Sequence, residues 1–179
     1  SGTNATILHY MKNDDPISKN EMMLMDFGVR WMTMHADITR TFPVSGKFNP
    51  MQKMLYEIVL KGQKEVEKAA RAGVTVEELN EVCWRVVNDG MKNKFSAAGG
   101  KFKLRYNERP HGVSHLMGEQ EHDGDPFRNY ASQPMKAGWM ISNEPGLYGE
   151  FKIRLNGKTY DETIGIRIED NLVMTQKGC

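Results

Sequence analysis

Residues 23–42, MLMDFGVRWMTMHADITRTF, read as two apolar, β-branched segments, and each carries one aspartate, Asp26 and Asp37. Acids are depleted from strands, and a buried carboxylate without a partner is costly. Two later acids repeat the pattern. Glu144 closes the apolar run in WMISNEPG. Glu169 lies in TIGIRIED, where a period of two puts Ile164, Ile166 and Ile168 on one face and Arg167 and Glu169 on the other. Between the two pairs lies HGVSHLMGEQEHD, with His111, His115 and His122. If the four acids converge, two like charges about 4 Å apart repel by roughly 4 kcal/mol at an effective dielectric of about 20. Such a cluster needs cations. Two divalent ions would balance four carboxylates, and an oxygen-rich set with one imidazole suits manganese, or zinc, cobalt or iron. The plainer alternative is scattered acids on the wetted face of a sheet, with the histidines as polar loop groups. Composition does not choose between the two.

The elements that must position these residues are legible in outline. Residues 4–10 (NATILHY), 22–28 and 35–42 read as strands. NPMQ at 49–52 starts a helix: Asn49 can cap, Pro50 suits the first turn and Gln52 completes a capping box. Met51, Met54, Leu55, Ile58, Val59 and Val66 then recur at helical spacing, and Gly73 ends the run. TVEE at 75–78 is a second capping box, opening a helix with a stripe of Leu79, Val82, Cys83, Val86 and Val87 that stops near Gly90. The basic, glycine-containing stretch 92–109 reads as a loop, and strands resume at 139–144 and 163–174. Strands, two helices and strands again give an α+β domain, an antiparallel sheet backed by helices, spanning residues 1–179.

Composition narrows the function classes. A chain of 179 residues with 39% hydrophobic and 26% charged residues can bury a real core. No apolar run approaches the roughly 20 residues of a membrane helix, and no signal-peptide pattern opens the sequence. The net charge of +1 gives no electrostatic case for nucleic acid or an anionic membrane surface. Two cysteines, Cys83 and Cys179, make no disulfide framework, so a cytoplasmic location is expected. The thirteen methionines read as flexible packing residues, not soft-metal ligands.

Taken together, NATILHY (4–10), LMDFG (24–28), ADITRTFPVSGKF (36–48), HGVSHLMGEQEHD (111–123), NEPGLY (143–148) and GIRIEDNLVMT (165–175) resemble the pita-bread metallopeptidases of the aminopeptidase P and prolidase type. The resemblance implies a pita-bread fold, a curved antiparallel sheet backed by helices. It implies two divalent metals, manganese first and cobalt or zinc otherwise, held by Asp26, Asp37, His115, Glu144 and Glu169, with Asp37 and Glu169 bridging. All five ligand types are present, unlike in the family's non-metal branches such as creatinase and the histone-chaperone subunits. Glu144 would shuttle protons, His122 would stabilise the tetrahedral intermediate, and His9, His111 and His122 would line the substrate pocket, with His111 also counted among the catalytic groups. Arg167 would support a ligand acid. His35 takes no role.

The implied activity is hydrolysis of the bond between an N-terminal residue and a following proline. The alternatives are a Xaa-Pro dipeptidase, or a non-catalytic peptide-binding domain. The forms DITRTF and HGVSH…HD lean away from methionine aminopeptidase. The expected partner is a peptide with proline second, with no nucleic acid and no membrane. The resemblance also implies lead helices and an N-terminal domain ahead of residue 1, so the domain is expected to be a truncated one. Apolar faces such as Met23 and Met25, and Ile164, Ile166 and Ile168, would then be left wet, and the chain is expected to form a homo-oligomer or to associate with the segment it lacks.

Overall fold

The computed structural model describes residues 1–102 and 106–179. After a 3-10 turn at Gly2–Thr6 come strands β1 (Met22–Trp31) and β2 (Met34–Pro43), then helices α1 (Pro50–Ala69) and α2 (Val76–Gly90) and a wide π turn at Met91–Ser96. Strands β3 (Lys101–Phe102), β4 (Leu116–Met117), β5 (Met140–Asn143), β6 (Gly146–Leu155), β7 (Lys158–Arg167) and β8 (Asp170–Val173) follow. Among the described residues the sheets are β1–β2, β3–β6–β7 and β4–β5–β8, antiparallel throughout. No described helix is long and apolar enough to cross a membrane.

The hairpin β1–β2 sets the first two acids. Its register pairs Asp26 with Thr39 and Gly28 with Asp37. Directly opposed residues share a face, so Asp26, Asp37 and Thr39 all lie on one side. Gly28 is required there, because a Cβ would stand 2.1 Å from the Ala36 carbonyl oxygen. Both expected helix starts are present: Asn49 and Gln52 form a reciprocal capping box, and so do Thr75 and Glu78. The second α-helix ends at Gly90 as expected, but Gly90 does not break the path. It has helical angles, φ −61° and ψ −47°, and the helical path runs on to Ser96. A Cβ at Gly90 would lie 2.9 Å from Ile58, and one at Gly62 would lie 2.8 Å from Val87. These glycines serve close packing of α1 on α2.

Three further expectations need correction. Residues 4–10 are not a strand. The segment crosses β7 so closely that a Cβ on Gly165 would be 1.9 Å from the Ala5 carbonyl oxygen, and its polar side chains Asn4 and Tyr10 converge on Asp15. The expected loop at 92–109 is helical to Ser96 and contains β3, and residues 103–105 lie outside the described residues. The expected single strand at 163–174 is two. β7 pairs with the unforeseen β6, and after Ile168 and Glu169 the chain changes sheets to run as β8 beside β5. That break takes Glu169 out of any strand ladder.

Nor are the isoleucines wet. Ile164, Ile166 and Ile168 share one buried core with Leu55, Ile58 and Val87 from the helices. The bare apolar face is instead the other side of the β1–β2 hairpin, where Val29 is 67% and Trp31 74% exposed beside Met25, Phe27, Met34 and Phe42.

Because the Gly2–Thr6 segment rests on Gly165, a Gly165→Ala change is expected to destabilise the chain by about 1–3 kcal/mol, the usual range for overpacking. Urea denaturation checks this, and unchanged stability would rule out the close approach.

Candidate metal centre

Five segments meet at one cavity of about 190 Å³, whose walls include Asp26, Asp37, His115, Glu144 and Glu169. Asp26 and Asp37 come from β1 and β2. His115 precedes β4 and is held by the backbone of the neighbouring strand end: Ser142 N donates to its carbonyl, and Glu144 N donates to the carbonyl of Val113. The Ser142 hydroxyl accepts from His115 N at 2.9 Å and donates to Glu144 Oε1 at 3.1 Å. One serine therefore sets both residues. Glu169 sits at the sheet break, its N–H donating to the Thr39 carbonyl at 3.0 Å.

Asp37, His115 and Glu169 are buried and each offers a donor atom within 4.8 Å of the others. His115 Nε2 lies 3.4 Å from Glu144 Oε1 and 3.8 Å from Asp37 Oδ2. Its Nδ1 faces the Leu116 carbonyl at 3.3 Å and so carries the proton of the neutral ring. The Nε2 lone pair then points at two carboxylates, a repulsive arrangement that a cation among them would reverse. Burial holds the ring neutral, lowering its pKa to about 4, with His122 stacked on it at 3.8 Å adding to the effect. Burial also pushes Glu144 up to about 7 and Glu169 up to about 8, and raises Asp37, with the neighbouring acids adding to each. Glu169 Oε1 is buried with no hydrogen-bond partner among the described residues. A donor set of carboxylates, one imidazole lone pair and an orphaned carboxylate oxygen fits a hard or borderline divalent cation.

Behind these groups runs a buried hydrogen-bond network. Arg167, only 4% exposed, pairs with Asp26, as its sequence position suggested. It donates through Nη1 to the Tyr148 hydroxyl at 3.0 Å and through Nε to the Thr39 hydroxyl at 3.1 Å. Tyr148 is also 3.0 Å from His111 Nε2, while His111 Nδ1 faces the Gly112 carbonyl at 2.8 Å. Both ring nitrogens of His111 are thus engaged within the protein, and burial lowers its pKa to about 4. That makes His111 a wall of the cavity with no free nitrogen for acid–base work. His9 and His122 also line the cavity and are exposed. His35 lies in the hairpin, outside the walls of this cavity.

Tyr148, Thr39, Ser142 and Arg128 complete the surroundings, and sequence reasoning gave none of them a role. For Thr39 a signal existed: it lies two residues after Asp37, on the same strand face. Ser142 offered the same signal, two residues before Glu144 on one strand; for Tyr148 there was none, since its bonds join segments far apart in the chain.

Comparison with known proteins finds a family model, sequence relatives and solved structures that this chain resembles. The model of Metallopeptidase family M24 matches residues 1–176. A Xaa-Pro aminopeptidase of Haemophilus influenzae is 34% identical over 99% of this chain and 42% of its own length. The mitochondrial intermediate cleaving peptidase 55 of Arabidopsis thaliana is 32% identical over 99% of this chain and 35% of its own. Among solved structures, proline aminopeptidase P II from Yersinia pestis superposes with a TM-score of 0.80 at 32% identity, covering 99% of this chain and 42% of that one. Icp55 from Saccharomyces cerevisiae gives a TM-score of 0.82 at 31% identity, covering 98% and 44%. The chain thus spans about two-fifths of the length of the relatives it matches.

The displaced pKa values carry a stability signature. A carboxyl raised on folding stabilises the fold at low pH, and that contribution is lost as pH rises through the folded value, here about 7 for Glu144 and about 8 for Glu169. His111 and His115, lowered to about 4, act the other way, losing their contribution as pH falls below about 6.5. Above about pH 6.5 the carboxylates act without that opposition. The melting temperature of the metal-free chain is therefore expected to fall between about pH 6.5 and 8. A divalent cation should restore it at pH 8 and do less at pH 6.5. Scanning calorimetry at both values checks this, and a flat profile would contradict it.

Proposed function

The chain belongs to metallopeptidase family M24, and from that membership and the geometry of the cavity we propose that it is a dinuclear metal-dependent exopeptidase. Its fold is the pita-bread fold. In this reading it hydrolyses the bond between an N-terminal residue and a following proline, the class of reaction after which its relatives are named. The single observation that carries the proposal is the neutral His115 with Nε2 directed at Asp37 and Glu144, beside the orphaned Glu169 Oε1. Asp26, Asp37, His115, Glu144 and Glu169 would hold the ions. Once bound, the ions would supply Lewis acidity toward the hydrolytic water and the scissile carbonyl, with manganese first and cobalt or zinc as alternatives.

The residues divide the remaining work. Ser142 fixes Glu144 Oε1, so Glu144 takes the water proton on its other oxygen and returns it to the leaving proline nitrogen. That nitrogen comes from a tertiary amide and carries no proton of its own. His122, exposed at the mouth and stacked on His115, donates to the oxygen of the tetrahedral intermediate. The His111 ring, locked by Gly112 and Tyr148, forms a flat wall for the proline ring, and His9 closes the rim. Arg128 favours a second reading as Xaa-Pro dipeptidase. Its guanidinium lines the same cavity, donates to the Ser114 carbonyl at 2.6 Å, and keeps further N–H groups for a substrate carboxylate.

Elemental analysis after manganese loading is expected to give about two ions per chain, and Asp37→Ala or Glu169→Ala to lower that number and abolish turnover. Full occupancy in both variants would sink the ligand assignment. Turnover is to be assayed on Xaa-Pro dipeptides, on longer Xaa-Pro peptides and on Met-Ala peptides. Equal cleavage of the Met-Ala series would refute the proline reading, and metal binding without any turnover would leave a peptide-binding domain. His122→Ala should depress kcat more than KM.

The self-association expected from the sequence now rests on the bare β1–β2 face. Sedimentation should find the chain above its monomer mass, and Phe27→Glu with Val29→Glu should return it to the monomer. A monodisperse wild-type monomer would end that part of the proposal.

A further inference from the structure

Thr39 is fully buried, and its hydroxyl sits where two parts of the metal centre meet. Arg167 Nε, which can only donate, reaches Thr39 Oγ1 at 3.1 Å. The oxygen is therefore the acceptor in that bond. Its one proton goes to Glu169 Oε2, 2.6 Å away. The direction of both bonds follows from the guanidinium having no lone pair to offer. Glu169 is thus held by Oε2, and Oε1 is left with no hydrogen-bond partner among the described residues. The same guanidinium holds Asp26 through Nη2.

We infer that Thr39 is a positioning residue for the metal centre: its hydroxyl fixes the Glu169 carboxylate with Oε1 turned free, and braces the Arg167 that holds Asp26. The inference rests on the reading of the cluster as metal ligands. Two features separate this role from ordinary structural bonding. The backbone link between the two residues, Glu169 N to the Thr39 carbonyl at 3.0 Å, does not involve the hydroxyl, so an isosteric valine would keep the strand contact and delete only the side-chain bonds. Thr41 provides an internal comparison. It lies two residues on, on the same face of the same strand, and is 3% exposed. Its hydroxyl donates to the Arg167 carbonyl at 2.9 Å and accepts from Arg167 N at 3.0 Å. Among the described residues its hydroxyl bonds backbone alone.

The experiment is a calorimetric titration of manganese chloride into the metal-free chain and its Thr39→Val, Thr39→Ser and Thr41→Val variants, with the metal-free melting temperature of each. Thr39→Val is expected to weaken manganese binding by about 10–100-fold, the usual cost of losing a partner that orients a ligand. Thr39→Ser and Thr41→Val should bind close to the wild type, even where Thr41→Val melts lower. If Thr39→Val does not fold, Thr39→Ala against Thr41→Ala makes the same comparison. Equal affinity in the Thr39 and Thr41 variants, whatever their melting temperatures, would reduce Thr39 to a structural hydroxyl and overturn the inference while leaving the metal reading intact. A wild-type chain that takes up no manganese would instead remove the metal reading, and this inference with it.

Discussion

Asp26, Asp37, Glu144, Glu169 and the neutral imidazole of His115 meet at one cavity, and the buried guanidinium beside them is that of Arg167. Arg167 answers Asp26 directly. The close neighbour of Asp37 and Glu144 is the neutral ring of His115, and Glu169 has a threonine hydroxyl on one oxygen and, among the described residues, no hydrogen-bond partner on the other. Buried carboxylates in that position either take up protons or take up metal. Much of the architecture serves to hold these groups in place against their mutual repulsion.

The stretch from Arg167 to Asn171 shows how. Arg167 reaches across to Asp26 on β1 and Thr39 on β2. Glu169 turns into the cavity at the break between β7 and β8. Asp170 accepts from Arg40 at 2.6 Å and from Gln63 of α1 at 2.8 Å. The Asn171 side chain acts as a strand partner to Asp37, accepting from its N–H at 3.2 Å and donating to its carbonyl at 2.5 Å. Four residues thus tie three elements together around the acids, and one of them, Asn171, does so through the backbone of Asp37. Arg167, Glu169 and Asn171, two positions apart, turn toward the acids, while the alternate residue Asp170 faces Arg40 and Gln63.

Support from the core is unequal. The hairpin β6–β7 buries Leu147, Phe151, Ile153, Ile164 and Ile166 together with residues of α1 and α2. The hairpin β1–β2 has the same two ten-residue strands, but its outer face stays in solvent. The acids it carries are held from the inner face, through Arg167, Asn171 and the Thr39 carbonyl. Asp26 is the most exposed of the set.

The sequence by itself determined the residue types of the centre, the two capped helices and the hairpin bearing Asp26 and Asp37, because capping and strand alternation are local properties of the chain. It also holds a local hairpin signal: Asn156-Gly157, both at positive φ, flanked by β-forming residues, marks the turn of β6–β7. What only the tertiary structure decided is long-range. Residues 4–10 have strand-like composition, yet pack flat on Gly165 instead of pairing. Gly90 has the composition of a helix stop, yet serves as a packing notch for Ile58. The isoleucines expected to be wet are covered by helices roughly a hundred positions away in the chain. The coupling of Thr39 to Glu169, and of Tyr148 to His111, depends on contacts 130 and 37 residues apart in sequence. No local propensity encodes such contacts, since they arise only when several elements bury their faces against one another and leave each polar group one partner within reach.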